Sequence, residues 1–191
     1  MNTVSPIRDK KQIELMKAYL KSHSLRDYLM FMVGISSALR ISDILKLKIL
    51  DVWNGKKPKE FIVLHEQKTG KYKKFPITKN LEKAIKEYLN SYDYDMNDYL
   101  IQSRKTSKGE SKPITRQQAA FILSNAGEAI GLKEPISTHS MRKTWGYWAY
   151  KSGVSLALIM EALNHSSIAN TKKYLGITQD DLNDVYMNLN L

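Results

Sequence analysis

HSMRKTWGYWAYKSGVSLALIMEALNHSSIANTKKYL, residues 139–175, is the stretch around which this chain is organised. Its apolar spacing and its breakers predict helices. Thr138 or Ser137 caps a helix over 139–151, Gly153 ends it, and Ser155 caps the next over 156–163. His165 follows at the C-terminal end of that helix, and a short helix around 168–174 carries Tyr174. His139 and Arg142 lie three apart, so a helix presents both on one face. Two imidazoles, a guanidinium and a phenol suit chemistry at a phosphate. An arginine holds two non-bridging oxygens, a histidine moves protons and a tyrosine attacks. Taken singly these residues are weak signals: the chain has 11 tyrosines, and most tyrosines serve core packing.

The bulk properties set the frame. With 191 residues, 42% of them hydrophobic and regularly spaced, a single folded domain with its own core is expected over 1–191. There is no apolar run long enough to cross a membrane, and the opening MNTVSPIRDKKQ has no secretory apolar segment. The chain has no cysteine, which excludes disulfides, thiolate-bound zinc and thiol chemistry and fits a cytoplasmic protein. The net charge of +11 points to a polyanionic partner, nucleic acid first. The plainer reading is a basic surface that only aids solubility.

Upstream, residues 9–22 and 25–38 read as helices, the second far more apolar and therefore buried. Arg40 then emerges from ALRISDIL between apolar neighbours. A buried arginine needs an anion, and Asp43 is a candidate, either as a structural ion pair or as a brace for a ligand-binding arginine. Ser42 is placed to cap a short helix over 43–48. Residues 61–64 and 71–77 look like strands with Lys68-Thr69-Gly70-Lys71 as the turn, and 50–53 offers a third strand. Eight lysines stand against two glutamates over 54–79, so Lys71, Lys73 and Lys74 are expected on a DNA backbone, unless they only protect exposed strand edges. The KTGK string is not a phosphate-binding P-loop, which needs GxxxxGK[ST].

Residues 80–90 form a further amphipathic helix. The acidic loop 92–99 lacks the glycine and glutamate of a calcium loop, and no metal site is expected. The 102–116 loop carries five basic residues and one acid, so Arg104 and Lys105 join the expected DNA contacts, and Arg116 either joins them or is an ordinary first-turn residue of the next helix. Thr115 opens a helix over 116–130, closed by Gly131. The last segment, 178–190, has three aspartates and no lysine or arginine, which suits packing on its own core or docking on another protomer.

Together, ALRISDIL with Arg40, the hairpin lysine Lys68, HSMR with His139 and Arg142, LNHSS with His165, and TKKYL with Tyr174 resemble the tyrosine recombinase, or phage integrase, family. The family order is Arg, Lys, His-x-x-Arg, His or Trp, then Tyr about nine residues on; here all six positions are filled and the last gap is nine residues. The resemblance covers essentially the whole chain. It implies an α+β catalytic domain, mainly α with a small antiparallel sheet carrying Lys68, and a mechanism without metal or other cofactor. It implies that Tyr174 attacks a DNA phosphodiester, forming a 3′-phosphotyrosyl link and releasing a 5′-hydroxyl. It further implies that Arg40 and Arg142 clamp the non-bridging oxygens, that Lys68 protonates the leaving oxygen, that His165 hydrogen-bonds the phosphate and that Asp43 braces the site. A phenol, with an ordinary pKa of ~10, needs a proton acceptor near neutral pH, and His139 is the candidate.

Larger members carry an N-terminal core-binding domain and often an arm-binding domain, neither of which is seen in this sequence. The resemblance implies a homo-oligomer, a synaptic tetramer, on DNA, with a monomer admissible when free. The alternatives are a non-enzymatic DNA-binding or regulatory relative and a DNA-relaxing enzyme of the same chemistry.

Overall fold

Asp9 and Ser24 set the first two helices by the same device, a side-chain oxygen accepting an otherwise unpaired amide of the first turn. Asp9 Oδ1 accepts from Lys11 N at 2.8 Å and opens α1 (Lys10–His23). Ser24 Oγ accepts from Asp27 N at 3.3 Å and opens α2 (Leu25–Ser37). The first helix buries one stripe, Ile13, Met16 and Leu20, whereas the second buries Leu29 through Gly34 without a break. An element apolar on all sides belongs in the middle, and α2 packs against both α1 and α5 (Lys79–Leu89), whose inward face is Leu81, Ala84, Ile85, Tyr88 and Leu89.

The computed structural model describes residues 4–104, 110–177, 183, 186 and 187. The chain forms two compact units, Met1–Trp145 and Gly146–Leu191. Lys105 and most of the acidic segment 178–190 lie outside the described residues. Among the described residues no helix is long and apolar enough to cross a membrane.

The first unit continues through α3 (Ile41–Ile44) and α4 (Ile49–Val52) to a hairpin of β1 (Phe61–His65) and β2 (Tyr72–Pro76). These strands pair antiparallel with Leu64 opposite Lys73 and Ile62 opposite Phe75. Two local expectations are corrected here. The short helix starts at Ile41 rather than at 43, with Arg40 in the N-cap position and no side-chain cap, so Ser42 lies inside the turn instead of opening it. Residues 50–53 are not a third strand. Asp51 Oδ2 accepts from Lys48 N at 2.8 Å and Trp53 N reaches back to Ile49 O at 2.9 Å, closing a helical turn. A carboxylate at the third position of a turn outweighs the strand preference of Val52 and Trp53.

Thr115 Oγ1 accepts from Gln118 N at 3.1 Å and opens α6 (Arg116–Ala129), which Gly131 closes with φ +74°. Helix α7 (Thr138–Lys151) follows, and its first turn is seated on α2. Gly34 permits this: a Cβ there would lie 2.9 Å from Met141 Cβ and overlap the Met141 sulfur. Since Met141 is buried and adjoins Arg142, Gly34→Ala is expected to lower stability by about 1–3 kcal/mol by overpacking, read as a lower denaturant midpoint.

In the second unit, Ser155 Oγ accepts from Leu158 N at 3.4 Å to start α8 (Leu156–Ala162). Ser167 Oγ accepts from Asn170 N at 3.1 Å to start α9 (Ile168–Leu175), and Gly176, at φ +68°, closes it. Helices α8 and α9 pack together, burying Ile159, Leu163, Thr171 and Leu175.

Candidate active site

Arg40 sits where α2 turns into α3. The turn is sharp because Ala38 takes the left-handed conformation, φ 55° and ψ 19°, that ends α2. Arg40 Nη1 donates to Glu66 Oε2 at 2.9 Å. The anion that the sequence demanded is therefore Glu66, not Asp43. Glu66 is 1% exposed, so its charge is compensated within the protein. Thr69 Oγ1 donates to the same oxygen at 2.8 Å, and Lys73 Nζ stands 3.9 Å from Oε1.

Asp43 is buried too, with a different task. Its Oδ1 accepts from Gln67 N at 2.8 Å, and its Oδ2 has no hydrogen-bond donor among the described residues. Two carboxylates thus hold the turn that carries Lys68: Asp43 takes the amide before it and Glu66 the hydroxyl after it. Lys68 is exposed at the turn, which closes through Gly70 N donating to Glu66 O at 2.8 Å.

The hairpin lysines part company. Strand alternation carries Ile62, Leu64 and Glu66 to the inner face of β1, and Lys73, opposite Leu64, to the inner side of β2. Lys71 and Lys74 are exposed, and Lys74 Nζ lies 4.2 Å from the centre of the Phe61 ring. Burial first, then the charge of Arg142, pushes the Lys73 ammonium down to about 8, while Glu66 pulls the other way.

Arg142 is 3% exposed, and its Nη1 donates to the carbonyl of Ala38, two residues from Arg40. The two guanidinium groups share one neighbourhood, since both depress the pKa of Lys73 and both depress that of His139. For His139 the largest cause is desolvation, followed by Arg142, Lys143 and Arg40. His139 still reaches solvent, and the lowered pKa keeps its imidazole neutral at pH 7, the form that accepts a proton. Arg104 and Arg116 are both exposed, the latter as the first residue of α6.

In the second unit, His165 and Tyr174 meet edge to face, ring centres 4.8 Å apart at 79°. Thr171 Oγ1 donates to Ser167 O at 3.1 Å and lies 3.1 Å from His165 Nδ1. With its proton on Ser167, the hydroxyl accepts from Nδ1–H, which fixes the ring orientation. The first unit therefore gathers Arg40, Asp43 and Arg142 around Lys73, with His139 in the field of both arginines and Lys68 exposed on the turn that Asp43 and Glu66 brace, and the second brings His165 beside Tyr174.

Residues 7–180 match the model of the phage integrase family. The chain belongs to that family. It is 42% identical over 186 residues to the probable integrase/recombinase YoeC of Bacillus subtilis (strain 168), covering 97% of each. Among solved structures it resembles XerA recombinase, with a TM-score of 0.75 at 20% identity over 96% of this chain and 63% of that one. It also resembles XerH site-specific recombinase bound to palindromic difH substrate, with a TM-score of 0.72 at 19% identity over 97% and 53%. The chain thus spans nearly all of YoeC but little more than half of these solved recombinase chains. The mostly helical fold with its two-stranded sheet is that of tyrosine recombinase catalytic domains. This phage integrase chain is a site-specific recombinase catalytic domain.

Glu66 was absent from the residues singled out by sequence. A signal for it existed: in FIVLHE the inward phase Ile62, Leu64 ends on a glutamate, and an acid in an inward strand position must have partners.

Proposed function

We propose that this protein cuts and rejoins double-stranded DNA through a covalent tyrosine intermediate, without metal or cofactor. Tyr174 is the nucleophile: its oxygen forms a bond to phosphorus as the bond to the 5′ oxygen breaks, giving a 3′-phosphotyrosyl link and a 5′-hydroxyl. His139 accepts the phenolic proton, and its depressed pKa supports that role. Arg40 and Arg142 bind the non-bridging oxygens and stabilise the charge of the five-coordinate transition state. Lys68 delivers a proton to the leaving oxygen, and His165 hydrogen-bonds the phosphate. Attack by a hydroxyl of a second strand reverses the step and exchanges strands. Lys71, Lys74, Arg104, Lys105 and Arg116 contact the DNA backbone on either side. The working form is a homo-oligomer, a synaptic tetramer on DNA, and the acidic end of the chain mediates protomer contacts. The reaction takes place in the cytoplasm, and residues 1–191 act as one catalytic domain.

The observation that carries this reading is the Arg40–Arg142 pair. Both guanidinium groups are held by the protein, Arg40 Nη1 on Glu66 and Arg142 Nη1 on the Ala38 carbonyl, in one basic corner of the first unit. Such anchoring orients the remaining N–H groups before a phosphate arrives, which is what transition-state stabilisation needs.

The test requires no knowledge of the target site. Protein incubated with supercoiled plasmid in EDTA and quenched with detergent is expected to yield relaxed plasmid and protein covalently attached to DNA. Relaxation that disappears in EDTA, or that proceeds with no covalent complex, sinks the mechanism.

A further inference from the structure

Two groups at the centre of this corner have no part in the chemistry just described: the Glu66 carboxylate and the Lys73 ammonium. Glu66 is the hub. One oxygen receives Arg40 at 2.9 Å and Thr69, in the Lys68 turn, at 2.8 Å, and the other faces Lys73 at 3.9 Å. The Glu66 side chain is 0% exposed and that of Lys73 13%. A carboxylate so placed is a hazard as well as a support. It orients Arg40, but it is also an anion already seated on the guanidinium that must receive a DNA phosphate, and at low dielectric its charge counts strongly. A second cation on the same carboxylate relieves that competition.

We propose that Glu66 and Lys73 are paired positioning residues, Glu66 fixing Arg40 and the Lys68 turn while Lys73 neutralises Glu66 so that Arg40 keeps its charge for the phosphate. The proposal rests on the recombinase reading for the identity of the phosphate, though not for the behaviour of Arg40 toward an anion.

The groups facing Lys73 come from each element around it. Glu66 follows β1, Arg40 precedes α3 and Asp43 lies within it, and Arg142 comes from α7. The two arginines and burial favour the neutral amine, whereas Glu66 and Asp43 favour the ammonium, and the balance places the transition near 8. Below it Lys73 is charged and Arg40 is available. Above it Lys73 is neutral, Glu66 draws more strongly on Arg40, and anion binding weakens. The exposed lysines Lys71 and Lys74 do not take over: β2 alternation turns Lys74 outward, and Lys71, before the strand, is exposed to solvent.

The full chain is compared with Lys73→Met, Lys73→Arg and Glu66→Gln, each checked for folding by circular dichroism. The first readout is binding of inorganic sulfate, whose charge is constant over the range, followed at the Arg40 Nε–H by NMR. Wild-type affinity is expected to fall about tenfold between about pH 7 and about pH 9.5, one unit of linkage. Lys73→Arg should hold its affinity across that range, because its guanidinium stays charged. Lys73→Met at neutral pH should match the wild type at high pH, and Glu66→Gln should bind sulfate at least as tightly as the wild type throughout. A flat wild-type titration, or normal binding by Lys73→Met at neutral pH, overturns the role of Lys73 whether or not the protein cuts DNA.

The second readout is the rate of covalent plasmid capture at sub-saturating DNA. Glu66→Gln is expected to lose at least about tenfold while still binding sulfate, because orientation is lost and charge is not. An unchanged rate overturns the role of Glu66. If the wild type itself captures no plasmid, the recombinase reading is what fails, and the Glu66 role is then decided by whether Glu66→Gln broadens or shifts the Arg40 Nε–H resonance.

Discussion

Tyr174→Phe abolishes covalent capture of DNA and leaves duplex binding within about threefold of the wild type, as a change of about 0.5 kcal/mol or less would require. The substitution removes one oxygen and keeps the ring. The ring keeps its edge-to-face contact with His165 at 4.8 Å. Helix α9 keeps its Ser167 cap and its buried face of Thr171 and Leu175. The α9 backbone, and with it the neighbouring lysines Lys172 and Lys173, stays in place. What disappears is the only atom that can bond to phosphorus in the proposed step, so the loss is complete rather than graded. The measurement is a detergent-quenched denaturing gel beside a filter-binding curve. Adduct formed by the phenylalanine variant would assign the nucleophile elsewhere. Equal loss of binding and adduct would make Tyr174 a structural residue.

Arg142→Lys is expected to lower strand cleavage by about 10²–10³-fold, the range for removing one preorganised donor at a transition state. Charge is retained, so binding at low salt should fall far less than cleavage. The reason is geometric. The guanidinium of Arg142 uses Nη1 on the Ala38 carbonyl, and a planar fork anchored on one nitrogen presents the others in fixed directions. An ammonium has its three donors on one nitrogen at the end of a flexible stem, so it cannot hold the carbonyl and present a fixed pair of N–H groups to the phosphate. The same change leaves a buried carbonyl with a poorer donor at a left-handed residue, and stability should drop by about 1–3 kcal/mol. Single-turnover cleavage at saturating DNA separates the two effects, since a stability loss alone does not slow the folded fraction. A cleavage rate within about threefold of the wild type would show that charge alone suffices there.

Both expectations depend on residues that local sequence marks well. Capping residues and apolar period delimit α1, α2, α5, α6, α8 and α9 to within a residue or two, because a helix end needs a side-chain oxygen or a glycine at a definable position. The Arg, Lys, His-x-x-Arg, His, Tyr order carried the family directly. Sequence reasoning failed where short elements compete: over 41–53 each segment is only four or five residues, and backbone hydrogen bonds made by Asp51 and Arg40 decided between turn and strand.

The sequence by itself determined a basic, mostly helical catalytic chain, its hairpin, its candidate nucleophile and its two arginines, since all of these follow from spacing within one element or from residue order. Tertiary structure alone decided who partners whom. Arg40 and Glu66 are 26 residues apart, and Asp43, only three residues from Arg40, serves the Gln67 amide instead. Likewise, only the pairing register turns Lys73 toward Glu66 while Lys74, its neighbour on β2, faces solvent. A buried guanidinium takes the carboxylate that packing delivers with good geometry, and no pattern of neighbours along the chain encodes that choice.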